Sequence, residues 1–270
     1  MKADAEVLHV KEGHGDQAGS ICGMMQAGLR IGKTHSSFAA MGQVKTSRWG
    51  DAVSEGVHAA RSNLLPGSLL IVCGILLVVG YYQVSAARDA LDWLGGQKER
   101  LGIWFAIPST AFFGGIIPLV FRRVFLKQSS HWRDVVFQAL FWAEKGMEVD
   151  LFYRLQNHVF GEGVSLFVLL PKVVVDQFVY VPFIAMPSIV LGYLWKECGF
   201  SLAEIRAALR YRSYWERSFP LMISNWAIWI PAVALIYSFP LALQLPLQNI
   251  TLTLWVMLLI LLTGERRNDA

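Results

Sequence analysis

Apolar residues in this chain gather in long runs separated by short charged stretches. Residues 64–85 carry no charge and are long enough to cross a hydrocarbon layer about 30 Å thick at about 1.5 Å of helix rise per residue. Residues 101–121 form a second uncharged run. Residues 132–160 are weaker and amphipathic, with an apolar heart at 135–143 that continues through Leu151, Phe152, Tyr153 and Leu155. Residues 164–195 are apolar except for Lys172 and Asp176, residues 219–243 are uncharged, and residues 245–263 make the last run. The pattern predicts an all-α polytopic membrane helix bundle of about six helices. Because the last run is short, five is the alternative. Residues 1–63 are polar, rich in Gly, Ser and Ala, and without an apolar period, which predicts a disordered tail. The expected organisation is therefore a tail over 1–63, a membrane helix and loop over 64–100, a helix-bundle domain over 101–264 and a charged tail over 265–270.

Composition agrees with a membrane protein. Hydrophobic residues make up 54% of the chain, charged residues 16%, and the mean hydropathy is +0.43. A soluble domain carries about 25% charged residues, so a soluble cytosolic enzyme is excluded. The net charge of +4 is too small and too scattered to indicate nucleic acid. Cys22, Cys73 and Cys198 are odd in number and widely spaced, so neither a disulfide framework nor a zinc site is expected. The stretch Gly28, Gly32, Lys33, Thr34 has only three residues between its glycines and is not a phosphate-binding loop. No apolar leader follows Met1; a start at Met24 or Met25 would look more like a transit peptide.

Charge in the connecting segments bears on topology, because Lys and Arg collect on the cytoplasmic side. Arg122, Arg123, Lys127 and Arg133 follow the second run, Lys196, Arg206, Arg210, Arg212 and Arg217 follow the fourth, and Arg266 and Arg267 end the chain. These segments share one side if the number of crossings is even and both termini lie inside.

Two sets of residues are candidates for a role. Ala106, Thr110, Gly114 and Pro118 recur every fourth position, with Gly115 beside them, and form a ridge suited to close helix packing. Lys172, Asp176, Gln177 and Tyr180, together with Asn225, are expected in the bundle interior, since such groups are costly against lipid. The i, i+4 spacing predicts that Lys172 pairs with Asp176, that Tyr180 donates to Asp176, and that Asn225 bonds across to another helix. No HExxH or GxSxG pattern is present, so no enzymatic role, cofactor or metal is expected.

The motif Lys172-Val-Val-Val-Asp176-Gln177 with Pro182 resembles the signature of the Mpv-seventeen / twenty-two-kilodalton peroxisomal membrane protein family. Gly146 and Tyr153, with Phe152 in place of a tryptophan, are similar to an upstream family stretch, although Met147 and Asp150 replace its proline and histidine. Pro220, Asn225 and Trp229 match a downstream pattern, Trp255 resembles a tryptophan of the last segment, and Pro108 and Thr110 resemble the opening of the family's first helix. The resemblance covers roughly 104–262. Pro231 is shifted from the family's position, and residues 232–236 are apolar where the family is polar. The resemblance implies a pore-like or small-solute permeability role in a bacterial cytoplasmic, mitochondrial inner or peroxisomal membrane. The lipid bilayer would be the partner, and a homo-oligomer is possible. The alternative is a non-transporting membrane protein that binds lipid or a protein partner.

Overall fold

The computed structural model describes residues 48–125, 127–211 and 214–268. The described residues are mostly helical, with no strand among them. In chain order the helices are α1 (Arg48–Ser62), α2 (Leu64–Gln83), α3 (Ser85–Leu101), α4 (Ile103–Phe125), α5 (Trp132–Phe160), α6 (Leu166–Glu197), α7 (Leu202–Tyr211), α8 (Tyr214–Tyr237) and α9 (Leu241–Asn268). Five of them contain stretches long and apolar enough to cross a membrane: Leu64–Gln83, Ile103–Phe125, Leu166–Glu197, Ser218–Tyr237 and Leu241–Leu258. The chain is an all-α integral membrane bundle. The short last run is among the five, and the stretch that composition leaves out is the amphipathic α5.

Three expectations about the segments outside the bundle domain change. Residues 48–62 are helical and lie against α8, with Gly56 beside Ile223 and Pro220. Asn63, next in the chain, donates from Nδ2 to Ser224 Oγ at 3.1 Å. The expected tail thus stops at least fifteen residues earlier than its polarity suggested: α1 covers a neighbour with one face and needs no continuous apolar run. The segment between the first two spans is helix α3, separated from α2 by Val84 alone. Gly102 then adopts φ +58, a left-handed turn that a Cβ would strain, and starts α4. Helix α9 runs on to Asn268, through much of the expected charged tail. The expected phosphate-loop look-alike and Cys22 lie outside the described residues.

Helix α5 organises the bundle. It opens on His131, whose side chain accepts from the Arg133 amide, and closes at Gly161, with φ +79. It runs antiparallel to α6 along its whole length: Asp134 meets Lys196, Gln138 meets Tyr193, Tyr180 meets Glu148, and Lys172 meets Asn157. It runs antiparallel to α4 as well, and here the small-residue ridge lies. A Cβ on Gly114 would stand 2.7 Å from the Trp142 ring, one on Gly115 2.9 Å from the Gln138 carbonyl, and one on Gly146 2.7 Å from Thr110 Cβ. Ala106 and Thr110 are buried in the same contact.

The inward positions of α5 are Gln138, Trp142, Lys145, Gly146, Asp150, Tyr153 and Gln156. Its outward positions include Val136, Leu140, Met147, Leu151, Leu155 and Val159. The helix is therefore inverted relative to a soluble amphipathic helix, with its polar face inside.

Helices α4 and α6 each contain a π-helical turn, Ala111–Ile116 and Asp176–Ala185. Pro118 follows the first and Pro182 lies in the second. Proline removes a donor and crowds the carbonyl four residues back, so the turn widens. The carbonyls loosened in this way are met by neighbouring side chains. Thr253 donates to Phe113 O at 2.9 Å, Trp226 Nε1 to Gln177 O at 2.8 Å, and Ser188 to Ala185 O at 2.8 Å. Without such partners, free carbonyls in an apolar layer would be costly.

Candidate functional site

Five helices meet around a cavity of ≈150 Å³. Thr110 comes from α4, Lys145 from α5, Asp176 from α6, Asn225 from α8 and Asn249 from α9, with Trp142, Trp229 and Trp255 among the walls. The π-helical turn Asp176–Ala185 lines the cavity, so its irregular backbone borders a cavity, the place where a membrane bundle tolerates it.

Of the sequence-derived candidates, Asp176, Gln177, Tyr180 and Asn225 line this cavity and Lys172 does not. Lys172 and Asp176 are buried, at 1% and 4% exposure, yet they do not pair. Lys172 Nζ donates to Asn157 Oδ1 at 2.9 Å and lies 5.9 Å from the centre of the Tyr237 ring. Asn157 in turn donates to Glu162 Oε1 at 2.6 Å, in the connection between α5 and α6. Side chains on a helix lean toward its N-terminus. Lys172 therefore reaches back toward the exposed helix start, away from Asp176.

Asp176 is held instead by the Tyr237 hydroxyl, which donates to Oδ2, and by Gln177 Nε2, which donates to Oδ1 at 2.7 Å. Gln156 supports this arrangement, donating to Tyr237 Oη at 3.1 Å and to Lys172 O at 3.0 Å. Tyr180 does not reach Asp176. Its hydroxyl donates to Glu148 Oε1 at 2.6 Å, and its ring stacks on Phe152 at 4.0 Å. Asn225 lines the cavity rather than bonding across to another helix.

The structure adds Lys145, Asp150 and Asn249, which the sequence-derived site did not include, and gives Thr110 of the packing ridge a polar partner. Lys145, at 3% exposure, contacts Glu148, Ser188 Oγ at 2.6 Å and Glu144 at 3.2 Å. Near the end of α5, Asp150 pairs with Lys98 of α3 and accepts from Arg154 Nε at 2.8 Å. Thr110 donates to Asn249 Oδ1 at 2.9 Å, and Asn249 donates to Ser109 Oγ at 3.2 Å. The signal for the α5 residues was present in the mostly apolar outward face of residues 136–159: once that face is assigned to lipid, Lys145 and Asp150 fall inside, while Glu144 and Arg154 stay exposed.

Among the described residues no group of three or more His, Cys, Asp or Glu is arranged to hold a metal ion. Fold and site together define an integral membrane helix bundle with a largely apolar cavity between its helices, bordered by several polar side chains. Comparisons with models of known families, with curated proteins and with solved structures find no match to this chain.

Proposed function

We propose that this chain is a non-enzymatic small-solute permeability protein, with the central cavity as the place where a solute sits within the membrane. The observation that carries the reading is a cavity of ≈150 Å³ where five helices meet, walled largely by apolar side chains but bordered by Lys145, Asp176, Gln177, Asn225 and Asn249, in a bundle whose exterior is largely apolar. Polar and ionisable groups inside a membrane bundle are expensive and mark solute or ion paths. The π-helical turn at Asp176–Ala185 adds support, since such turns recur at functional sites. The resemblance of Lys172 through Pro182 to the Mpv-seventeen family points the same way. It makes a bacterial cytoplasmic, mitochondrial inner or peroxisomal membrane the host.

The reading includes α5 as a sixth crossing. It runs beside α4 and α6 for its full length, so it shares their depth, and its outward face is mostly apolar, an exception being Glu144, which contacts Lys145. Liposomes holding the purified full chain should swell faster than protein-free liposomes in isosmotic small polyols. Equal rates at matched protein density would refute the permeability role.

A second reading is lipid binding without transport. An apolar crevice of ≈60 Å³ between α2, α8 and α9, lined by Leu70, Leu77, Ile236 and Leu254 among others, favours it. Impermeable liposomes together with stoichiometric co-purified lipid would decide for this alternative.

A further inference from the structure

Around the central cavity Lys145, Thr110, Tyr153 and Tyr180 each donate to a protein acceptor, and Gln177 keeps an acceptor without a partner. Lys145 directs its ammonium group to Glu148, Ser188 and Glu144. Thr110 donates to Asn249, Tyr153 to Gln248 Oε1 at 3.1 Å, and Tyr180 to Glu148. Gln177 gives its amide nitrogen to Asp176. That bond fixes the amide, because turning it over would set a carbonyl oxygen against a carboxylate. Gln177 Oε1 is consequently buried without a partner. An unmet buried acceptor carries a penalty that an incoming donor removes.

Asp176 accepts from two neutral donors, Tyr237 and Gln177, and no ion pair forms on it among the described residues. The nearest lysine on its own helix, Lys172, is directed to Asn157. Lys145 faces the cavity from α5 but is matched by Glu148 and Glu144. Bordering the cavity are thus a carboxylate without an ion pair, the Gln177 side chain with its buried and unpartnered Oε1, and tryptophan walls from Trp142, Trp229 and Trp255. Aromatic faces attract cations, more strongly when water is excluded. A neutral alcohol would satisfy Gln177 and leave the Asp176 charge unbalanced, and an anion would meet the carboxylate.

We propose that this cavity binds a small primary alkylammonium ion, which donates to Gln177 Oε1 and balances the charge of Asp176. This rests on the solute reading given above and names the class of solute. A cavity of ≈150 Å³ accommodates an ion of this kind, since a cavity of about that volume holds benzene.

The test uses the full chain in nanodiscs, with intrinsic tryptophan fluorescence followed during titration with ethylammonium chloride. Sodium chloride at matched ionic strength and ethanol, the neutral counterpart, are the comparisons. A saturable change is expected with ethylammonium alone. Gln177→Met and Asp176→Asn should each weaken it about tenfold or more, the scale of a lost hydrogen bond to a charged group. Lipid-facing Cys73→Ser should leave it unchanged. No saturable change, an equal response to ethanol, or undiminished binding by a folded Gln177→Met protein would overturn the proposal. If that variant does not fold, the comparison of ethylammonium with ethanol on the unaltered chain still decides. Saturable binding in a protein whose liposomes are impermeable keeps the site and removes the permeability role. Polyol flux without ethylammonium binding keeps the role and removes the site.

Discussion

Helices α2 and α5 are built on opposite plans. Helix α2 is the most apolar span, with a mean hydropathy of 2.3, yet only 22% of its most apolar window is buried. Helix α5 fails the hydropathy criterion, yet it touches α4, α6 and α9 and supplies Trp142, Lys145, Asp150, Tyr153 and Gln156 to the interior. Hydropathy measures what a helix shows to lipid, averaged over all its faces. A helix at the periphery is apolar nearly all round. A central helix needs apolar residues only on the side that remains outside, and can carry charges on the rest if each finds a partner. The span easiest to read from sequence is therefore the one that contributes least to the interior.

The largest effect expected from this contrast is topological. If α5 crosses, residues 129 and 162, at its two ends, lie on opposite sides of the membrane. In a chain with Cys22, Cys73 and Cys198 replaced by Ser, Ser129→Cys and Glu162→Cys should react with a membrane-impermeant maleimide from opposite faces of sealed vesicles. Labelling of both from one face would make α5 a surface helix and break the comparison. For α2 the equivalent pair, flanking 64–83, separates by length alone.

The next effect is energetic. Asp150, at 1% exposure, is bound by Lys98 and Arg154, and its removal strands a lysine that is itself 3% exposed. Breaking a buried pair from one side costs about 3–5 kcal/mol, whereas replacing both partners by apolar residues is often neutral. Asp150→Ala should lower stability by that amount in detergent unfolding, and Lys98→Met with Asp150→Leu should recover most of it. Equal stability of Asp150→Ala and the parent would show that water reaches Lys98.

The five apolar spans could be read from long apolar runs, four of them uncharged and one interrupted only by Lys172 and Asp176, because length and the scarcity of charge suffice to mark them. Helix α1 could not, since a helix that covers one neighbour needs only one face and leaves no run. The members of the polar site were partly legible. Asp176, Gln177, Tyr180 and Asn225 were found because a polar residue in an apolar run stands out, and they do line one cavity. Their partners were not. The i, i+4 rule offered Lys172 to Asp176, but partners distant in sequence compete for the same groups. Asn157 took the lysine and Tyr237, 61 residues onward, took the carboxylate. Lys145 and Glu148 were passed over because a charged stretch in a weakly apolar segment reads as an interface, and only the inverted face of α5 shows otherwise.

The smallest effect tests where the two plans coincide. Leu76 on α2 and Leu140 on α5 are 65% and 67% exposed, both on faces that would meet lipid. If the outward side of α5 is a lipid-facing surface like that of α2, truncating either residue removes contacts with acyl chains and opens no cavity in the bundle. Leu76→Ala and Leu140→Ala should then each change stability by no more than about 0.5 kcal/mol, the range of substitutions away from packed or paired groups. Equality of the two is the informative part. A loss of about 2–5 kcal/mol at Leu140 alone, the size of a buried leucine truncation, would mean that this face of α5 is covered in the assembled protein. A second copy of the chain packed over Leu140 and Leu151 would produce that result. Cross-linking through Leu140→Cys would then distinguish that copy from a lipid held in place.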